Sequence, residues 1–180
     1  MPNRRDIRFV PVRDSDFGML RHWLESPYIR EWWGAPETEL GKIRDKVAGR
    51  DTTRPFIFHV DGDPLGYIQS WCVGDEIDNG NTGEAPWLVE LPRDAAGVDL
   101  FIGEPDRLGK GIGTAVLRAF VSDLFSRGTP MIVIDPDETN ARAVRAYEKA
   151  GFTPFGRYDN KDGVTLLMTL TPERFAETAA

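Results

Sequence analysis

The sequence predicts a mixed α/β fold. Short strand-like runs recur along the 180 residues, and segments of helical period separate them. The clearest succession is strand, glycine turn, helix, strand, helix between Val98 and Gly151. Two hairpin turns, Asp61-Gly62-Asp63 and Asp162-Gly163, add antiparallel pairs on either side. A chain of this length can bury one substantial core, so the expectation is a single domain over 1–180 with its core at about 7–170.

Each element has a local reason. Ile7 to Val12 carries apolar residues in an extended pattern and reads as an edge or near-edge strand. Asp14 or Ser15 can cap a helix bearing Phe17, Leu20, Trp23 and Leu24, which Pro27 interrupts. Tyr28 to Trp33 is a short aromatic segment, and Pro36 opens a second helix through Val47. Phe56–Val60 and Leu65–Val73 form the first hairpin. From Gly74 to Ala96 no periodicity is sustained, which suggests a functional or mobile loop. Val98–Ile102 is the next strand. A helix then carries Ile112, Val116, Leu117, Phe120, Val121 and Leu124 to a stop at Gly128. Met131–Ile134 is a central strand, and Thr139 or Asn140 opens a helix that stops at Gly151. Phe152–Tyr158 and Val164–Leu170 complete the sheet.

Composition excludes several classes. No apolar run of about eighteen residues offers a membrane span, and the polar start lacks a secretory core. Cys72 is the lone cysteine, so no intrachain disulfide can form, which suits a reducing cytoplasm. Two histidines and no calcium-loop spacing give no expected metal site. Eight carboxylates between Asp75 and Glu104 face only Arg93, a net of −7 that equals the charge of the whole chain. Such a field disfavours nucleic acid and favours a cationic partner. A solvated loop that aids solubility is the other reading of the same residues.

The most informative local feature is Leu108-Gly-Lys-Gly-Ile-Gly113 between a strand and a helix. Closely spaced glycines let successive backbone N–H groups turn toward one anion, and the first helical turn adds more unpaired donors. That suits a pyrophosphate. The spacing fits neither the dinucleotide fingerprint nor the triphosphate loop. Alone, the cluster also reads as a tight strand-to-helix connection.

This segment resembles the acetyl-coenzyme A signature of the GNAT superfamily of N-acetyltransferases. Gly111 and Gly113 match its glycines, while Leu108 stands where Arg or Gln is usual. Asn140-Ala-Arg-Ala-Val-Arg-Ala-Tyr-Glu-Lys-Ala-Gly-Phe152 resembles the superfamily's coenzyme-side helix and following strand. Further segments occur in the order expected of bacterial aminoglycoside 6'-N-acetyltransferases. They are Ile29-Arg-Glu-Trp-Trp-Gly34, Gly66-Tyr-Ile-Gln-Ser70, Gly97-Val-Asp99 and Asp135-Pro-Asp-Glu-Thr-Asn140. This narrower likeness runs from about Ile7 to Leu170 and departs in the acidic segment.

The resemblance implies a mixed, mostly antiparallel central sheet flanked by helices, and direct acetyl transfer in a ternary complex with no metal. It implies acetyl-coenzyme A contacts at Phe101, Ile102, Leu108, Gly109, Lys110, Gly111, Ile112, Gly113, Thr114, Asn140, Ala143 and Tyr147. Tyr147 would protonate the departing thiolate, and Cys72 need not be a nucleophile. Lys110, Arg142, Arg145 and Lys149 offer positive charge in the coenzyme half.

On the acceptor side, Asp99 is the leading carboxylate, able to orient an ammonium and accept its proton directly or through water. Strand alternation puts Asp99 and Phe101 on one face and Val98, Leu100 and Ile102 on the other. A structural carboxylate that caps a turn or pairs with Arg107 is the alternative. Trp32 and Trp33 could wall a sugar ring; adjacent residues rarely point the same way, so one of the two belongs to the core. Asp135 and Asp137 suit either a cationic ligand or the cap of the Asn140 helix. Asp75, Asp78 and Glu90 complete the acidic candidates. The expected partner is a small cationic amine, an aminoglycoside above all. An N-acetyltransferase for a siderophore precursor or other small amine, and a nonenzymatic acetyl-coenzyme A sensor or binding protein, stand as alternatives.

Overall fold

The computed structural model describes residues 5–178. Among them seven strands form one sheet: β1 (Ile7–Pro11), β2 (Arg54–Val60), β3 (Asp63–Cys72), β4 (Ala96–Ile102), β5 (Ile132–Ile134), β6 (Thr153–Asn160) and β7 (Gly163–Leu170). Their hydrogen-bonded order is β1-β2-β3-β4-β5-β7-β6. The pairs β1/β2, β2/β3, β5/β7 and β6/β7 are antiparallel, and β4/β5 is parallel. The helices are α1 (Phe17–Leu24), α2 (Pro27–Trp33), α3 (Pro36–Val47), α4 (Val73–Asp78), α5 (Ile112–Ser126), α6 (Ala141–Ala150) and α7 (Pro172–Glu177). The mixed, mostly antiparallel α/β architecture is the one the sequence predicts.

Contacts divide the chain into two compact units: the first runs through Ser70 and resumes over Asp99–Val116, and the second comprises Trp71–Val98 and the chain from Leu117 onward.

In the first unit, α1, α2 and α3 cover the β2/β3 hairpin. Leu20, Trp23 and Leu24 of α1, Ile29 of α2, and Leu40 and Ile43 of α3 bury their apolar faces with Ile57, Tyr67 and Phe101. Pro27 does not merely interrupt the helical run. It occupies the first position of α2, where its missing N–H costs nothing, and the aromatic segment Tyr28 to Trp33 is therefore helical.

In the second unit, the stretch from Gly74 to Ala96 differs from the sequence expectation of irregular loop. It contains α4 and two 3₁₀ turns, Asn81–Gly83 and Pro86–Glu90. Trp87, Leu88, Leu91 and Ala95 are buried with Val73, Val133 and Leu167. Four apolar anchors scattered among Gly, Asp and Pro produce no periodic signal, yet they are enough to pin the segment. The second hairpin, β6/β7, registers Asn160 against Gly163 with an irregularity between Pro154 and Gly156. A closing helix, α7, was not foreseen; Thr171 caps it through a hydrogen bond from Arg174 N–H, with Pro172 at its first position.

Gly97 is explained by close approach. A Cβ there would lie 1.9 Å from the Trp71 indole, so only glycine lets the ring cross the strand.

Candidate active site

The first unit holds the glycine turn. Gly109 and Gly111 both have left-handed backbones, φ 73° and 70°. Ordinary side chains resist that conformation, which here alternates around Lys110 and makes a concave run of main chain suited to an anion. A Cβ at Gly109 would meet nothing within 4 Å, so its side of the turn is open. The N-terminus of α5 follows at once. Its fifteen residues give a helix long enough for its terminal N–H groups and dipole to favour a phosphate. Ile112 is buried and anchors the helix, Leu108 and Thr114 are half-buried, and Lys110 is exposed. These features suit a diphosphate group.

One contact escaped sequence reading. Arg5 donates from its guanidinium to the Lys110 carbonyl at 2.8 Å, across 105 residues of chain. It brings a cation to a turn in which Leu108 replaces the usual Arg or Gln. No local pattern links the two segments, so only the fold reveals it.

Asp99, on β4, is half-buried. Its Oδ2 accepts a 2.8 Å hydrogen bond from Gln69 Nε2 on β3. Phe101, two residues along the same strand face, is buried and stacks on Tyr67 with ring centroids 5.4 Å apart. Its side chain therefore belongs to the core, and Ile102 beside it is half-buried. The Ile102 carbonyl accepts a hydrogen bond from the Tyr28 hydroxyl.

The tryptophan pair separates as adjacent helical residues must. Trp33 packs edge-on against Phe101 (5.0 Å) and Tyr67 (6.0 Å), which makes it the core member. Trp32 is 40% exposed, leaving its ring available to a ligand.

The second unit holds α6. Asn140 caps it by accepting from Ala143 N–H at 3.2 Å. The helix ends at Gly151, whose left-handed φ of 107° is accompanied by a Phe152 N–H bond back to the Tyr147 carbonyl. Tyr147 is half-buried, its ring 6.4 Å from Phe152. Arg142, Arg145 and Lys149 lie exposed on this helix.

The acidic candidates of this unit divide by their partners. Asp78 forms a 2.8 Å ion pair with Arg93, whose guanidinium the hydrogen bond holds above its ordinary pKa. Glu90 accepts from the Tyr158 hydroxyl at 3.1 Å. Asp137 closes the turn that leads into α6 and does not cap the helix, a role Asn140 takes: its Oδ1 accepts from both Thr139 N–H and Thr139 Oγ1, at 2.8 and 2.5 Å. Asp135 and Asp75 are half-buried. Cys72 donates its thiol to the Arg93 carbonyl at 3.3 Å, a packing arrangement rather than that of an activated nucleophile. Among the described residues no group of three or more His, Cys, Asp or Glu is placed to hold a metal ion, and no helix is long and apolar enough to cross a membrane.

Comparison with known proteins fits this geometry. Aminoglycoside N(6')-acetyltransferase type 1 of Klebsiella pneumoniae and that of Serratia marcescens are each 33% identical over 174 residues, covering 93% of this chain and 84% of theirs. The crystal structure of aminoglycoside acetyltransferase AAC(6')-Ib in complex with coenzyme A superposes with a TM-score of 0.82 at 32% identity, covering 97% of this chain and all of that one. A solved complex of the same enzyme with coenzyme A and kanamycin gives a TM-score of 0.81 at 30% identity. The acetyltransferase (GNAT) domain family matches residues 12–160, and the chain belongs to that family.

Proposed function

We propose that this acetyltransferase moves an acetyl group from acetyl-coenzyme A to the 6'-amine of an aminoglycoside. The observation that carries the reading is the likeness to aminoglycoside N(6')-acetyltransferases, spanning 93% of this chain and 84% of theirs. The concentration of carboxylates from Asp75 to Glu104 supports it, because aminoglycosides present several ammonium groups to be steered and oriented.

In this reading the main chain of Gly109–Gly113 and the start of α5 hold the diphosphate. Asn140, Ala143, Phe101 and Ile102 contact the pantetheine arm, Phe101 through its backbone. Asp99 binds the acceptor ammonium and takes its proton directly or through water. The freed nitrogen lone pair forms a bond to the acetyl carbonyl carbon, the C–S bond breaks, and Tyr147 gives its phenolic proton to the departing thiolate. An ordinary carboxylate is a weak base toward an amine, so Asp99 contributes by desolvation and orientation as well as by proton removal. Trp32 supplies the apolar wall for a sugar ring, and Asp75, Glu90, Asp135 and Asp137 supply negative field, while Arg93 offsets the charge of Asp78. The reaction belongs in the cytoplasm, where acetyl-coenzyme A is made available.

The test mixes purified protein and acetyl-coenzyme A with kanamycin, tobramycin, a linear polyamine and a hydroxylamine, following coenzyme A release. Turnover on the aminoglycosides is expected. Efficient acetylation of another amine with none on any 6'-amino aminoglycoside would reject the substrate, and acetyl-coenzyme A binding without turnover across the panel would favour a sensor.

A further inference from the structure

Four side chains of the first unit form a hydrogen-bonded chain that ends on Asp99. Gln69 is its centre, only 7% exposed. Its Oε1 accepts from the Tyr67 hydroxyl at 2.6 Å and from Lys46 Nζ at 2.8 Å, while its Nε2 donates to Asp99 Oδ2 at 2.8 Å. An amide has one accepting and one donating end, and these partners decide which end faces where. Reversing it would press the NH₂ against an ammonium and turn the amide oxygen onto a carboxylate.

Of the two locking donors, Tyr67 is held in its donating form. Tyr67 is fully buried, and burial followed by the charges of Asp99, Glu39 and Asp51 pushes its phenol well above the ordinary value, so it keeps its proton. Burial pulls the Lys46 ammonium down, while Asp51, Asp99 and Glu39 resist that and Lys42 adds to it. Half-burying a lysine against a glutamine carries a desolvation cost that an apolar pair would not. Successive hydrogen bonds in a low-dielectric setting polarise one another, so the ammonium strengthens the donation that reaches Asp99.

We propose that Gln69, locked by Lys46 and Tyr67, is the positioning residue for Asp99, holding its carboxylate in the one orientation that receives the acceptor amine. This rests on the assignment of Asp99 to the acceptor side. Gln69 moves no proton itself; it fixes the plane of the group that meets the amine.

The substitution Gln69→Glu isolates the role. The introduced carboxylate can still accept from Lys46 and Tyr67, but it has no N–H for Asp99 and sets a like charge beside it. Acceptor kcat/KM should fall about 10- to 100-fold near neutral pH, the usual worth of a hydrogen bond to a charged group, with the acetyl-coenzyme A KM unchanged. The informative readout is the ratio of variant to unsubstituted kcat/KM against pH, since titration of the acceptor cancels in it. Two adjacent carboxyls share a proton more readily than one alone, so the ratio should climb as pH falls from about 8 to 5.5 and the introduced group becomes a donor. In an Asp99→Asn background the Gln69→Glu effect and its pH dependence should vanish.

A pH-independent ratio, or an equal loss in both backgrounds, overturns the proposal while leaving the Asp99 assignment intact. If Asp99→Asn alone leaves acceptor kinetics unchanged, that assignment fails first. Should Gln69→Glu not fold, as read by thermal unfolding and acetyl-coenzyme A binding, Tyr67→Phe carries the test. It should lower acceptor kcat/KM about 3- to 10-fold, with no change in the coenzyme KM; unaltered acceptor kinetics would overturn the proposal.

Discussion

At the residue scale, the two groups assigned to proton movement have different surroundings and different legibility. Tyr147 was visible in the sequence because the glycine turn and the Asn140-to-Phe152 segment are both continuous strings with fixed spacing. Asp99 was visible as a residue, but its partner was not. Gln69 lies thirty residues away, and hydrogen bonds between strands leave no mark in local pattern. The same limit hid Arg5 at the glycine turn. That Trp32 and Trp33 point apart followed from their adjacency in the chain, yet only packing against Tyr67 and Phe101 could say which ring is core. The proton-donor role of Tyr147 makes a sharp prediction. Tyr147→Phe should slow single-turnover acetyl transfer by about 100-fold, within the usual range for a general acid, while leaving the acetyl-coenzyme A dissociation constant nearly unchanged. Rapid-quench measurement at saturating coenzyme checks this, and unchanged chemistry would remove the role.

At the element scale, strands and helices with regular periods were readable, and segments held by scattered anchors were not. The α5 and α6 helices announce themselves by apolar spacing, a capping Asn140 and terminal glycines. The stretch after Cys72 gives no such signal, because Trp87, Leu88 and Leu91 earn their burial through contacts distant in sequence. The glycine turn allows a test of conformation separate from bulk. Gly109 has a left-handed φ of 73° and open space beside it, so Gly109→Ala adds backbone strain without a clash. A cost of about 1 kcal/mol is expected for an alanine in that region, with a rise of about fivefold in the coenzyme A dissociation constant as the turn relaxes. Isothermal titration and thermal unfolding measure the two effects. Gly97→Ala is the converse case: its Cβ would occupy the Trp71 ring, and overpacking of this kind costs about 1–3 kcal/mol. Chemical denaturation should show a lowered midpoint, and an unshifted midpoint would mean that the indole moves aside freely.

For the whole molecule, fold class followed from the order of periods and turns, and the family followed from two motifs at fixed separation. The acceptor was less accessible, because charge composition identifies a preference without a shape. The net of −7 concentrated from Asp75 to Glu104 nevertheless predicts a kinetic signature. Raising ionic strength from about 0.05 to 0.5 M shortens the screening length well below 10 Å. Acceptor kcat/KM should then fall several-fold for a polycationic aminoglycoside, while the KM for acetyl-coenzyme A changes far less. A salt-insensitive acceptor term would assign the carboxylates to solubility alone. The most direct test of the central claim is to identify the product by mass spectrometry and two-dimensional NMR after complete reaction of acetyl-coenzyme A with kanamycin. The account predicts a single added acetyl group, on the 6'-nitrogen, with one coenzyme A released per antibiotic; acetylation at a different amine, or unmodified kanamycin in the presence of an efficiently acetylated alternative, would contradict it.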